Sequence, residues 1–307
     1  MTHALITKPQ PSAGGAAKRR KLIITMLLIL AGVAILIYPV VATQYNNVKQ
    51  TEFARQYNSN LKTFSTEELE ANLAQAREYN ATLPGIPILD PWLKIAEDLP
   101  RSQAYDEYLS YLALTDVMAR VRVPSANIDL PIRHGTTDEV IENGAGHLYG
   151  TGLPVGGEGN HPVITSHSGM PYATLFDNLT KVKEGDLMFI EVNNETLAYQ
   201  VDEINVVLPN ETEKLNREEG RDLLTLFTCT PYGINTHRLL VRGERVEYTP
   251  EMENQLNEKI PFRIEPWMWI FLGAALLSLL ALLWVVRRER KRRMQRAAFD
   301  MEVENEI

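Results

Sequence analysis

Two uncharged apolar runs bracket this chain and limit what it can fold into. Leu22 to Thr43 and Trp267 to Val286 contain no Asp, Glu, Lys or Arg. At about 1.5 Å of rise per helical residue, each is long enough to cross a hydrocarbon layer of roughly 30 Å. Core helices of soluble proteins are seldom apolar on every face over that length, so both runs read as membrane spans. Whatever folds in water must come from the residues between them.

The flanking charges orient the spans. Lys18-Arg-Arg-Lys21 precedes the first, and Arg287-Arg-Glu-Arg-Lys-Arg-Arg293 follows the second. Basic clusters often bind nucleic acid, but beside apolar spans they mark the cytoplasmic side. The tails at 1–21 and 287–307 are therefore expected in the cytoplasm, with the intervening chain outside the cell membrane. Val40-Val-Ala42 resembles a signal-peptide cleavage site, but the apolar run is long for a signal, which favours a retained anchor.

Charge accounting narrows the partners. The chain holds 31 Lys+Arg and 39 Asp+Glu. The first 21 residues carry five basic side chains, and the last 21 carry seven basic and five acidic, leaving 19 basic and 34 acidic in residues 22–286. A region with a net charge of −15 is a poor partner for nucleic acid or anionic lipid and attracts cationic groups, lysine-bearing ones included.

Residues 1–17 are small and polar, and are expected to be disordered. The segment 44–116 begins with helical character from Gln44 to Leu83. Ser65-Thr-Glu-Glu68 has the form of a capping box, followed by Leu69, Leu73 and Ala76 at helical spacing. Leu83-Pro-Gly-Ile-Pro-Ile-Leu-Asp-Pro-Trp92 cannot continue a helix. From 117 to 247 the chain reads as short strands: 117–123, 128–132, 163–165, 187–192, 196–207, 223–229 and 238–246. Asn193-Asn194 marks a hairpin. Such strands, spaced by turn residues, predict a mainly β fold that closes into a barrel. Residues 248–266 are expected to form an irregular stalk leading to the second span at 267–286.

The chemistry concentrates at the single cysteine. Cys229 lies in Thr225-Leu-Phe-Thr-Cys-Thr-Pro-Tyr-Gly233, with Arg238 nine positions later. An exported lone thiol has no disulfide partner in its own chain and must be inert, paired with another chain, or reactive. Two strands joined by the Thr230–Gly233 turn would bring thiol and guanidinium to one rim. A thiol of pKa about 8.5 also needs a base or a cation to become nucleophilic. His3 is cytoplasmic, and His237 points away from Arg238's face. His161 and His167 flank one short strand, so only one of them reaches a given rim. His134 and His147 are expected in loops. His167, in Thr-Ser-His-Ser-Gly169, ends a strand much as Cys229 does. It is the candidate base, beside the ordinary reading of a hydrogen-bonded surface histidine.

Other signals carry less. Gly150-Thr-Gly152-Leu-Pro-Val-Gly156-Gly157 lacks the ending of a phosphate-binding loop and reads as a plain loop. Cys and His are too few and too scattered for a metal centre, so no cofactor or metal is expected. Asn80, Asn178, Asn194 and Asn210 begin Asn-x-Thr sequons, which matter only in a glycosylating host.

Taken together, Thr225-Leu-x-Thr-Cys229, Arg238 and His167 resemble the sortase signature. Pro131-Ile-Arg-His-Gly135, Gly146-His-Leu-Tyr-Gly-Thr-Gly-Leu-Pro-Val-Gly-Gly157, His167-Ser-Gly-Met-Pro171 and Ala173-Thr-Leu-Phe-Asp-Asn-Leu179 look like class C, the pilin-polymerising sortases. The likeness runs from about residue 45 to 290 and includes the second span. Ser168 departs from it, since many class C members have arginine there.

The resemblance implies a sortase-type barrel and a cysteine transpeptidase of a Gram-positive surface. Cys229 would attack the threonine carbonyl of a Leu-Pro-x-Thr-Gly-like sorting signal, with His167 as general acid and base and Arg238 holding substrate and oxyanion. The acyl group would pass to a pilin lysine, making pilin subunits the partners. Asp90-Pro-Trp92 resembles the class C lid, with Asp90 facing Arg238 and Trp92 covering Cys229; the plain alternative is a proline turn with a buried tryptophan. Two rivals remain at this stage: a sortase that anchors proteins to peptidoglycan, and a two-span adhesion or binding module with a structural cysteine.

Overall fold

The computed structural model describes residues 13–83, 102–257 and 264–305. The expected lid residues Asp90 and Trp92 lie outside the described residues. The chain divides into two compact units, 1–42 with 263–307, and 43–262.

In the first unit, the apolar runs form parts of two long helices. Helix α1 spans Ala13–Leu61 and continues through Pro39. It starts within the segment expected to be disordered, and its final turns belong to the second unit. The C-terminal helix runs Pro266–Asn305. By length and composition, both contain stretches that can cross a membrane.

In the second unit, helix α2 (Thr66–Thr82) follows a turn after α1. The capping box forms: Glu68 N–H donates to Ser65 Oγ at 3.2 Å, and Ser65 N–H donates to Glu68 Oε2 at 2.7 Å. Leu69, Leu73 and Ala76 are buried, as their spacing predicts, and so is Asn80. The Asn80 carboxamide bonds both the N–H and the C=O of Leu153, so this sequon is occupied by the fold. A short helix α3 (Gln103–Tyr108) precedes the sheet.

Eight strands close into a barrel in the order β1-β2-β3-β4-β7-β8-β6-β5. They are β1 (Ala119–Val123), β2 (Ile128–His134), β3 (Ala145–His147), β4 (Val163–Thr165), β5 (Leu187–Val192), β6 (Glu195–Val207), β7 (Leu223–Thr230) and β8 (His237–Val246). The pairs β2–β3 and β4–β7 are parallel and the rest antiparallel. Alternation sends Val121, Val123, Ile132, Ile164, Leu224, Leu226, Leu239 and Val241 into one interior cluster. The turn between β5 and β6 is the expected Asn pair, with φ of 41° at Asn193 and 67° at Asn194, values that asparagine tolerates better than most residues.

The alternating arginines of β1 are not solvent-facing. Arg120 is 6% exposed and Arg122 is 8% exposed. Arg120 grips Asp129 with two bonds of 2.6 and 2.7 Å, and Glu191 bridges Arg120 and Arg122 at 3.0 and 3.2 Å. Asn58 of α1 also donates to Glu191, at 2.6 Å.

Two expectations need correction. Residues 145–147 form a strand that the sequence reading missed, so His134 and His147 end β2 and β3 and do not sit in loops. The segment expected as an irregular stalk contains helix α5 (Pro250–Asn257), preceded by the five-residue helix α4 (Asp138–Glu142) earlier in the chain. Tyr248, Met252 and Leu256 pack on Phe189 and Ala198, and an Arg122 Nη donates to the Leu256 carbonyl, so α5 is docked on the barrel wall.

Candidate active site

Register brings the candidate residues to one end of three neighbouring strands. In the parallel β4–β7 pair, Thr165 stands opposite Phe227. Two residues further on along each strand lie His167 and Cys229. In the antiparallel β7–β8 pair, Cys229 stands opposite Arg238. Cys229 and Arg238 also share a face. Val163, Phe227 and Leu240 belong to one small cluster, while Ile164, Leu226 and Leu239 belong to the large interior one. Alternation then assigns Cys229 and Arg238 to the same face, and His167 follows two residues after the end of β4.

Hydrogen bonds carry the β4–β7 alignment past the end of β4. Thr165 Oγ1 donates to Phe227 O at 2.9 Å, and Thr228 Oγ1 donates to Ser166 O at 2.8 Å. Ser168 Oγ then donates to the carbonyl of Cys229 itself, at 2.6 Å. This is what serine contributes at the position where many class C members have arginine. Beyond these contacts the two exit loops meet glycine to glycine. A Cβ on Gly169 (φ 81°) would come within 3.2 Å of the Gly233 nitrogen, a close approach that only a residue without a side chain tolerates easily.

On the other flank, Arg238 is 6% exposed. One of its Nη atoms donates to Asn235 O at 2.9 Å and His237 O at 3.1 Å, so the β7–β8 loop carbonyls hold the guanidinium. Cys229 is likewise 6% exposed, whereas His167 is half-buried. Burial lowers the His167 pKa below the ordinary histidine value, and the carboxylates of Asp138 and Glu142 on α4 pull it back upward.

Among the described residues, the other histidines are committed elsewhere. His147 is fully buried; its Nε2–H donates to Gly152 O at 2.7 Å while Nδ1 accepts from Tyr108 Oη at 2.9 Å. His161 donates from Nδ1 to Asn216 O at 2.8 Å, and its Nε2 bonds Thr225 Oγ1 at 2.7 Å. His134 donates to Tyr111 O at 2.6 Å. His237 bonds Thr236 Oγ1 at 2.9 Å. His161 lies before β4 and His167 after it, so the two stand at opposite ends of that strand. The glycine-rich 150–157 segment is a loop whose Gly157 N–H is held by Asp222 at 2.9 Å. No group of three or more His, Cys, Asp or Glu able to hold a metal ion occurs among the described residues.

Sequence reasoning missed Ser168 as a strut beneath the cysteine, and missed Asp138 and Glu142 as the acids facing His167. Helix α4 has five residues, too few for a periodic signal, so nothing in the pattern could bring its carboxylates to the rim.

Residues 121–246 match the model of the sortase domain. The chain is 28% identical over 130 residues to a sortase A of Bacillus anthracis, a match covering 42% of this chain and 60% of that protein. The chain thus spans less than two thirds of that curated relative. Solved structures are matched more fully. The sortase C-1 of Actinomyces oris aligns at 48% identity with a TM-score of 0.56, covering 59% of this chain and 99% of the other. A Streptococcus pneumoniae sortase C aligns at 40% identity with a TM-score of 0.58, covering 64% of this chain and 97% of the other. A closed eight-stranded barrel, a cysteine and an arginine in register, and a histidine at the end of the adjoining strand accompany that likeness: the chain belongs to the sortase family.

Proposed function

We propose that this chain is a class C sortase, a membrane-anchored cysteine transpeptidase that joins pilin subunits through a lysine. What supports the reading is the register of Cys229 with Arg238 and the place of His167 two residues past the end of the neighbouring strand β4. The nearness in sequence of two sortase C structures, one of them described with pilin substrate specificity, favours class C over a sortase acting on peptidoglycan.

In this mechanism the Cys229 sulfur attacks the threonine carbonyl carbon of a Leu-Pro-x-Thr-Gly-like signal. The tetrahedral oxyanion faces the Arg238 guanidinium, a charge-assisted hydrogen-bond donor. Collapse breaks the Thr–Gly bond as His167 gives a proton to the departing glycine amine, leaving a thioester on Cys229. The ε-amine of a pilin lysine then attacks the thioester, His167 takes its proton, and the thiolate leaves. An isopeptide bond has replaced the peptide bond, and the enzyme is regenerated. Two anchoring helices would keep the barrel outside the membrane with both tails in the cytoplasm, and the acidic outer region draws lysine-bearing acceptors.

The test uses the full chain in detergent with a sorting-signal peptide. A mass adduct of the acyl fragment on Cys229 is expected, resolved by an added lysine peptide into an isopeptide-linked product, and absent in Cys229→Ala. Peptide binding without an adduct would make the chain a binding module. An adduct resolved by a peptidoglycan-type amine but not by lysine would make it an anchoring sortase.

A further inference from the structure

The outer part of α1 carries a polar stripe: Thr43, Asn46, Asn47 and Gln50 stand at the i, i+3, i+4, i+7 spacing of one helix face. A helix docked on a barrel ordinarily buries apolar side chains along that stripe. Here Thr43 is 2% exposed and Gln50 is 7% exposed, and the contacts are hydrogen bonds. Thr43 Oγ1 donates to Pro171 O at 3.4 Å, and Asn46 Nδ2 to Tyr172 O at 2.9 Å. Asn47 uses both ends of its carboxamide on one residue: Nδ2 donates to Thr174 Oγ1 at 2.7 Å, and Oδ1 accepts the Thr174 N–H at 3.0 Å.

All these partners lie in the loop that begins at His167. The loop closes on the histidine itself, since Phe176 N–H donates to His167 O at 3.0 Å and Gly169 N–H to Asp177 Oδ1 at 2.7 Å. One helix face therefore pins the loop from outside while its two ends are tied together at His167. The fourth member of the stripe, Gln50, reaches the carbonyl of Glu142 at 3.5 Å, at the end of the helix whose acids face the imidazole.

We propose that this stripe, and Asn47 above all, positions His167 for proton transfer, so that the helix emerging from the first apolar run fixes the placement of the proposed general acid. The inference rests on the catalytic role proposed for His167. Loops that carry catalytic groups are commonly mobile, and a half-buried carboxamide clamping both a backbone N–H and a side-chain hydroxyl restrains the loop that His167 begins. Asn47 is a positioning residue, since it acts through Thr174 and the loop.

The full chain in detergent tests this with Asn47→Ala, Thr174→Val and Thr174→Ser. A misplaced general acid lowers the rate of acyl transfer more than substrate binding, so Asn47→Ala is expected to lose about tenfold in kcat with KM within about twofold. Thr174→Val, which loses only the Oγ1 acceptor, falls between it and wild type, and Thr174→Ser keeps both bonds and wild-type kcat. The second readout is the NMR titration of His167. Its charged surroundings are Asp138 and Glu142 from α4 and Arg238 from β8, with the titratable Cys229 on β7, and none of these is altered by the substitutions. Release of the imidazole from its half-buried place moves its midpoint upward in Asn47→Ala. An active wild type whose Asn47→Ala variant keeps kcat and the His167 midpoint, losing thermal stability alone, overturns the inference and leaves the proposed function standing. A wild type that forms no Cys229 adduct overturns both.

Discussion

Ser168 Oγ hangs on the carbonyl of Cys229 at 2.6 Å, directly beside the proposed nucleophile and acid. Both atoms are buried from water, so removing the hydroxyl leaves a carbonyl short of its donor at a cost of about 1–3 kcal/mol. Part of that cost falls on the geometry between His167 and Cys229, because the bond joins the residue after one to the backbone of the other. Ser168→Ala is expected to lower kcat/KM for a sorting peptide by at least about fivefold, the equivalent of ~1 kcal/mol, while the melting temperature falls by only a few degrees. Single-turnover acylation of Cys229 measures the first effect, and an unchanged acylation rate would assign the bond a purely structural value. The sequence motif made this serine visible only as a departure from the family pattern. What the hydroxyl does depends on a neighbouring strand sixty-odd positions away in the chain, and no local rule reaches that far.

At the scale of elements, what was legible followed from local chemistry. The capping box at Ser65, the Asn193-Asn194 hairpin, and the alternating strands from β4 to β8 each express a preference held within a few residues. Strand β3 escaped because three residues, Ala145-Gly-His147, carry no alternation; it exists because β2 and β4 offer edges on both sides. Helix α5 escaped because it is only eight residues long and its anchor is tertiary, the pair Met252 and Leu256 against Phe189. The Val-Arg alternation of β1 does not expose its arginines, because Asp129, Glu191 and Asn58 form with them a buried ionic layer joining β1, β2, β5 and α1. His147 is a further tie, between α3 and β3 through Tyr108. Full burial pushes its pKa down from 6.5 to about 4, against a smaller upward pull from the Gly152 carbonyl. Above pH 6.5 neither state is protonated and the tie is fully effective. As pH falls from 6.5 towards 4, the unfolded chain takes up a proton that the folded chain refuses, and the fold loses stability, on the order of 3 kcal/mol across that window. Melting temperature is therefore expected to drop between pH 6.5 and 4. His147→Gln, less stable at neutral pH, should show a shallower acid slope; equal slopes in the two proteins would remove His147 from the account.

At the scale of the whole molecule, the apolar runs and the charges around them imply an arrangement that the proposed chemistry requires. Under the proposed function, sorting signals and pilin lysines are met outside the cell, so the barrel would have to be there. By the positive-inside tendency, the basic clusters at 18–21 and 287–293 would place both tails inside, and residues 22–286 keep a net charge of −15. The two long helices satisfy this by length and composition. Because Cys229 is the single cysteine, the chain carries its own reporter. In intact cells a membrane-impermeant maleimide is expected to label Cys229, slowly, since the thiol is 6% exposed, and to the same extent as after permeabilisation. In a Cys229→Ala background, Arg290→Cys at an exposed position of the C-terminal helix should react only once the membrane is opened. The reverse pattern would put the barrel in the cytoplasm, where neither a surface pilin nor its sorting signal is available. The positive-inside reading and the proposed polymerase role would then fail together, while the geometry of His167, Cys229 and Arg238 would still need a substrate of another origin.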